Sequence, residues 1–443
     1  MKIALHNLGC KVNAYETDAI REMLENAGHT IVPFKEMADI YIVNTCTVTN
    51  IADRKSRQML HRAKKHNPKG LVIAMGCYVQ AQEKQPEKLD DDIDIIIGNN
   101  KKQELLLVIQ TYEKQRKNVT TVHTHEKPRE KISAILDISK EKSYEEFQLS
   151  EVKEHTRAYV KVQDGCNQFC SYCIIPHVRG RVRSRKKKEV LREIQALVKA
   201  GCKEVVLTGI HLSSYGTDFE EKETLLSLIE DVAKITDLQR IRLGSLEPRI
   251  IDETFVKTLQ SIEKFCPHFH LSLQSGCDTV LKRMNRRYDS EEYKEKCELL
   301  RTHFHNPAIT TDVIVGFPGE TKEEFEITYQ FLQELKLYET HIFKYSKREG
   351  TVAASMQDQI LEEDKQARSH ILSTLAQENK ASYEALFEGE IVEVLIEEKV
   401  LKNNEEWWVG HTKEYVKVAM KSKEDIKNQI IRTKMNHHLQ IVH

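Results

Sequence analysis

Cys166, Cys170 and Cys173 fall within eight residues of one another, in the stretch DGCNQFCSYCIIP from Asp164 to Pro176, with the spacing C-x3-C-x2-C. An odd set of thiolates cannot pair fully within itself, so this spacing suits a metal centre better than a disulfide framework. Three ligands on a four-iron cluster leave one iron without a protein ligand, open to chelation by a substrate or cofactor. The plain alternative is a structural zinc knuckle with a distant fourth ligand. The chain carries ten cysteines, and several poised as ligands fit a reducing compartment better than secretion.

A second triplet is scattered in sequence. Lys2 to Leu8, Ile40 to Val43 and Leu71 to Met75 read as short apolar strands, and Cys10, Cys46 and Cys77 each stand just past one of them. An amphipathic helix closed by Gly28 follows the first strand, and a basic helix from about Ala52 to Lys65 follows the second. This is a doubly wound α/β pattern, in which ligands gather beyond the carboxyl ends of the strands. Free cysteines are ordinarily packing residues, but three at strand ends argue for a second three-cysteine cluster. Cys202, Cys266, Cys277 and Cys297 show no ligand spacing and read as packing residues.

With Tyr172 just before its last cysteine, the Cys166 loop resembles that of the radical S-adenosylmethionine (SAM) enzymes. The resemblance implies that the open iron binds SAM and that reductive cleavage of SAM yields a deoxyadenosyl radical, chemistry beyond the reach of side chains. A three-cysteine α/β domain ahead of such a core resembles the methylthiotransferases. Leu8 to Asn13 (LGCKVN), Val43 to Thr49 (VNTCTVT) and Gln163 to Cys166 resemble the branch acting on N6-threonylcarbamoyladenosine in tRNA. The isopentenyl-adenosine branch tends to carry Gln-Met-Asn after the first cysteine and the ribosomal-protein branch Pro-Lys-Asn, where this chain has Lys11-Val12-Asn13. The resemblance implies two 4Fe-4S clusters, SAM as both methyl donor and radical source, a tRNA substrate, a sulfur source, and an external electron donor such as flavodoxin or ferredoxin. The alternatives are action on isopentenyl-adenosine tRNA or a ribosomal-protein aspartate, and a non-catalytic iron-sulfur RNA-binding sensor.

A chain of 443 residues needs more than one core. Four segments are expected: a methylthiotransferase domain over 1–115, a charged linker over 116–152 with a short strand at Ala134 to Ile138, a radical-SAM core over 153–381, and a terminal module over 382–443. In the core, strands at 158–162, 204–207, 240–243, 269–273, 310–315 and 340–343, with helices between them, suggest a partial (β/α)6 barrel whose working groups lie on the loops after the strands. Gly209, Ser245, Glu247, Gln274, Ser275, Gly316 and Glu320 occupy those loops. With Tyr172 they are the candidates for holding SAM, a role the resemblance assigns to the region.

The terminal five short strands, at 391–396, 407–410, 415–420, 430–433 and 439–442, suggest a small OB-like β-barrel that resembles the RNA-binding TRAM domain. The formal net charge is −1, so an RNA site must come from local clustering. Two basic runs offer one: Arg179 to Lys188 (RGRVRSRKKK), otherwise a solvated face, and Arg283 to Tyr288, otherwise a basic helix end. His437, His438 and His443 lack metal spacing. No apolar run is long enough for a membrane span, no signal peptide is evident, and a cytoplasmic location is expected.

Overall fold

The computed structural model describes residues 1–119, 132–153, 156–402, 404–435 and 440–441. His437, His438 and His443, with residues 120–131 of the expected charged linker, lie outside these. The chain divides into two compact units, one of residues 1–149, 163–167 and 173–185, the other of 150–162, 168–172 and 186–443.

The first unit is built on six parallel strands: β1 (Lys2–Asn7), β2 (Thr30–Val32), β3 (Ile40–Thr45), β4 (Leu71–Gly76), β5 (Ile95–Ile97) and β6 (Ile132–Ala134), in the order β2-β1-β3-β4-β5-β6. Helices α1 (Lys11–Asn26), α2 (Asn50–His66), α3 (Cys77–Gln80) and α4 (Leu105–Val119) connect them. Every residue of β3 and β4 is buried, as expected of strands covered on both faces. Tyr41, Val43, Val72 and Ala74 pack against Leu60 and Ala63 of α2. Strands β2 and β5 are too short to show a period, and the strand expected at Ala134 to Ile138 ends at Ala134, with a 3-10 turn at Ile138–Lys140. The strand order reverses at β1 and β3, which opens a crevice at their carboxyl ends.

The six strands expected of the core are all present: β7 (Arg157–Asp164), β9 (Glu204–Gly209), β13 (Ala308–Val315) and β14 (Glu339–Lys344) run longer than expected, β10 (Arg240–Leu243) spans the expected residues, and β12 (His268–Leu271) starts one residue earlier and ends two sooner. Two-residue strands β8 (Arg183–Ser184), paired with the end of β7 in the first unit, and β11 (Ser245–Leu246) complete the set. Pairs β9–β10, β11–β12, β12–β13 and β13–β14 are parallel, and Ile241 of β10 bridges to Phe265 ahead of β12, so neighbours follow chain order. Helix α5 (Ile175–Val178) belongs to the first unit, and α6 (Lys187–Lys199), α7 (Leu225–Ala233), α8 (Glu253–Ser261), α9 (Asp278–Arg283), α10 (Ser290–His303), α11 (Lys322–Leu335), α12 (Val352–Ser355) and α13 (Glu362–Ala385) to the second.

The C-terminal strands β15 (Ile391–Lys402), β16 (Glu405–His411), β17 (Lys417–Met420), β18 (Ile430–Lys434) and β19 (Gln440–Ile441) form an antiparallel sheet in the order β18-β15-β16-β17-β19. Tyr415, expected in a strand, instead turns at φ +69°. Its ring lies between His268, 4.3 Å away, and His411, 4.7 Å away. Beside it Glu204, fully buried, takes Arg242 at 2.7 Å and Arg240 at 3.7 Å. Those two arginines reach onward to the carbonyls of Glu393, His411, Thr412 and Lys413. Burial alone would raise the Glu204 carboxyl, but Arg242, Arg157 and Arg240 outweigh it and hold the group at about 2. Among the described residues no helix is long and apolar enough to cross a membrane.

Candidate active site

The crevice at the β1/β3 reversal carries the three scattered cysteines. Cys10 caps α1, Cys46 follows β3 and Cys77 opens α3 directly after β4. Gly9, at φ +103°, lies so close that a Cβ there would fall 2.9 Å from Cys46 Cβ and 3.0 Å from its sulfur. Burial pushes the Cys46 thiol up to about 12, and the nearness of Cys77 and Cys10 adds to the rise. The structure thus brings the three together, Cys46 and Cys77 buried and Cys10 exposed. Asn13 fixes the crevice by donating to the carbonyls of Leu8 at 2.7 Å and Thr45 at 3.0 Å.

Arg179 takes a role that its place in a basic run does not indicate. It opens the run expected to be a solvated or RNA-facing surface, yet Arg179, Arg183 and Arg185 are all buried, which corrects that expectation for three of the run's seven basic residues. Arg179 donates from Nε to Cys77 Sγ at 3.3 Å, from Nη1 to Glu16 at 2.6 Å and Asp164 at 3.2 Å, and from Nη2 to Asn13 at 2.5 Å. Lys102 closes the group as a second buried partner of Glu16. A charge next to Cys and Asn side chains in a folded crevice has no sequence signature beyond Glu16, which shares the buried face of α1 with polar Asn13 and Thr17 and apolar Val12, Tyr15, Ala19 and Ile20.

The Cys166 loop is divided between the two units. In the first, Cys166 N–H donates to Gly180 O at 3.0 Å, and Gly165 at φ +71° sits where a Cβ would lie 1.8 Å from Arg181 O. Cys173 is half-buried there. In the second unit, Arg286 Nη1 donates to Cys170 Sγ at 3.2 Å while its guanidinium covers the Tyr288 ring at 4.8 Å. Ser171 N–H donates to Met284 O and its hydroxyl to Arg283 O, and Asn285 donates to Phe169 O. The Arg283 to Tyr288 run, offered by sequence as phosphate contact and base stacking, is therefore a clamp on the cluster loop, with Tyr288 buried. Tyr172 packs edge-on to Phe317 at 6.5 Å.

The SAM candidates fall at strand ends of the second unit, with unequal freedom. Gly209 ends β9 and Ser245, exposed, opens β11. Glu247 pairs with Arg249 at 2.7 Å. Gln274, at φ +76°, bridges to Val313. Ser275 is fully buried against Thr328 at 3.1 Å. The Glu320 carboxylate accepts from Gly316 N–H at 2.7 Å and from Arg368, so it shapes the loop from Gly316, where φ is +70°. Thr321 caps α11 in a capping box with Glu324.

The donor chemistry fits iron-sulfur clusters. All ten cysteines are free, and soft thiolates select such centres. Among the described residues the one trio of His, Cys, Asp or Glu with ligand atoms all within 4.8 Å is His270, Asp312 and His341. Cys10, Cys46 and Cys77 do not meet this single-ion spacing. The missing Cβ of Gly9 gives that crevice room beside Cys46.

A C-x3-C-x2-C loop after the first core strand, followed by strands paired in parallel, is the arrangement expected of a radical-SAM protein. Residues 160–332 match the model of the Radical SAM superfamily, and residues 2–98 that of the Uncharacterized protein family UPF0004. The chain is 40% identical over 98% of its length, and 93% of the other, to the threonylcarbamoyladenosine tRNA methylthiotransferase MtaB of Bacillus subtilis (strain 168). It is 38% identical over 91% of its length, and 95% of the other, to the MtaB of Aquifex aeolicus (strain VF5). To the tRNA-2-methylthio-N(6)-dimethylallyladenosine synthase of Carboxydothermus hydrogenoformans it is 34% identical, over 96% and 94% of the two chains. Among solved structures, the radical SAM methyltransferase TsrM of Kitasatospora setae shares the fold at a TM-score of 0.54 and 14% identity, over 80% of this chain and 77% of that one. The chain belongs to the radical-SAM tRNA methylthiotransferase family, whose members use SAM and iron-sulfur cofactors.

Proposed function

We propose that this protein converts N6-threonylcarbamoyladenosine, next to the anticodon of tRNA, to its 2-methylthio derivative. The observation that carries the reading is the 40% identity along 98% of the chain to the B. subtilis MtaB, above the 34% to a dimethylallyladenosine synthase. When bound, SAM and two 4Fe-4S clusters would supply the methyl group, the deoxyadenosyl radical and the electron that releases it. Cys166, Cys170 and Cys173 would hold the cluster with the open iron, and Cys10, Cys46 and Cys77 the other. Arg286 keeps a positive charge on Cys170, and Arg179 does the same for Cys77. Glu247, Gln274 and the backbone at Gly209, Ser245 and Gly316 would line the SAM pocket beside Tyr172, while Ser275 and Glu320 brace it.

In this reading the strands from β7 to β14 form a partial (β/α)6 barrel, and the C-terminal sheet is a TRAM-type module offering exposed Lys399, Lys402, Lys421, Lys423 and Arg432 to RNA. The domain limits 1–115, 116–152, 153–381 and 382–443, a cytoplasmic setting, an external electron donor and a separate sulfur source belong to the same reading. The test is nucleoside mass spectrometry of tRNA from a strain lacking the gene and any paralogue. Loss of the 2-methylthio nucleoside with accumulation of its threonylcarbamoyl precursor is expected. An unchanged level, or loss of the isopentenyl counterpart instead, would overturn the substrate assignment.

A further inference from the structure

Helix α2 begins four residues after Cys46 and carries Arg54, Lys55, Arg57, His61, Arg62, Lys64, Lys65 and His66 against one acid, Asp53. A chain of formal net charge −1 does not produce such a helix by composition alone. At about 100° per residue, buried Ser56, Leu60 and Ala63 mark the face turned to the sheet. One flank is already engaged within the fold: His61 bonds Asp92 at 2.5 Å, Lys64 pairs with Asp94 at 3.1 Å, and Arg57 bonds Tyr78. Opposite the buried face, Arg54, Lys55, Arg62 and Lys65 form a stripe in an arc of about 100° and about 16 Å long. All four are exposed and none is in an ion pair with a described residue. Val48 and Ile51, each about half exposed, flank the end of the stripe nearest Cys46.

We propose that this stripe is a tRNA-docking surface, its four cations set on backbone phosphates so that the apolar end, beside the crevice of the three cysteines, faces the base to be modified. The inference rests on the tRNA reading above and adds the element that grips the RNA. A polyanion is the partner that charge complementarity selects, since unpaired Lys and Arg at helical spacing gain affinity by releasing counterions from phosphates. Placement beside the crevice of Cys10, Cys46 and Cys77 puts the grip next to the reacting end.

The test is tRNA binding by the reconstituted full-length protein across a salt series, with Arg54→Gln, Lys55→Gln, Arg62→Gln and Lys65→Gln combined. Glutamine keeps helix propensity, and a Lys234→Gln, Lys257→Gln variant of two exposed lysines serves as control. The expected result is at least a tenfold rise in Kd and a fall of about three to four in the slope of log K against log salt, roughly one per phosphate contact. RNA-independent SAM cleavage should be unchanged. Equal Kd and slope in the two variants would overturn the proposal. So would intact tRNA binding with slower reduction by an acidic flavodoxin, which would make the stripe a protein-docking site. Failure of the unaltered protein to bind tRNA would instead sink the functional reading on which the proposal rests.

Discussion

Replacing Glu204 by Gln removes the one carboxylate that Arg240 and Arg242 share with Arg157 inside the second unit. A carboxyl held at about 2 against an ordinary 4.5 contributes about 3 kcal/mol at neutral pH. Removing one member of a buried ion pair gives a similar figure, about 3–5 kcal/mol, because the remaining charges keep their desolvation cost. The folded pKa is depressed, so the contribution is complete above about 4.5 and is lost as pH falls toward about 2. Both tryptophans of the chain, Trp407 and Trp408, lie in β16 of the C-terminal sheet, and their fluorescence reports the element these arginines hold. In a urea titration at neutral pH, Glu204→Gln should lower the midpoint by about 1–3 M, given a slope of about 1–3 kcal/mol/M. The gap from the unaltered protein should narrow by about 2 kcal/mol on going to about pH 3. Equal midpoints at neutral pH, or a gap that stays constant on acidification, would refute the reasoning.

Other outcomes follow from the cysteine sites. Cys166→Ser should abolish SAM cleavage, whereas Cys10→Ser should spare cleavage and abolish sulfur insertion, read by deoxyadenosine release and nucleoside mass spectrometry on the same samples. Arg286→Met removes the donor to Cys170 Sγ and should make the SAM-responsive cluster harder to reduce by about tenfold, or 59 mV for one electron, in an EPR-monitored redox titration. Gly165→Ala places a Cβ 1.8 Å from Arg181 O at φ +71°. It should cost more than about 1–2 kcal/mol and lower iron content after reconstitution.

The strands and their cysteines were legible because buried parallel strands are short apolar runs, and the residue after each run is fixed by the topology. Residues 2–8, 40–43 and 71–75 therefore led directly to Cys10, Cys46 and Cys77. Strands β2 and β5, three residues each, offer no period to read and are defined only by their neighbours. The arginines were harder to read. Charge runs usually mean solvent, but Arg179 is buried because Glu16, Asn13 and Cys77, distant in sequence, supply its partners. Likewise Arg286 donates to Cys170 and buried Tyr288 to the Leu273 carbonyl, where a basic run with an aromatic suggests RNA contact. Tyr415 departs from the expected strand for a similar reason: stacking between His268 and His411 favours a turn where local propensity favours a strand.

The central claim is most directly tested with the reconstituted protein, SAM, a reductant and tRNA whose threonylcarbamoyl-adenosine carries deuterium at carbon 2. The account predicts one deuterium in the deoxyadenosine released and a 2-methylthio group on the nucleoside recovered after digestion. Deoxyadenosine without deuterium, together with an unmodified nucleoside, would contradict it.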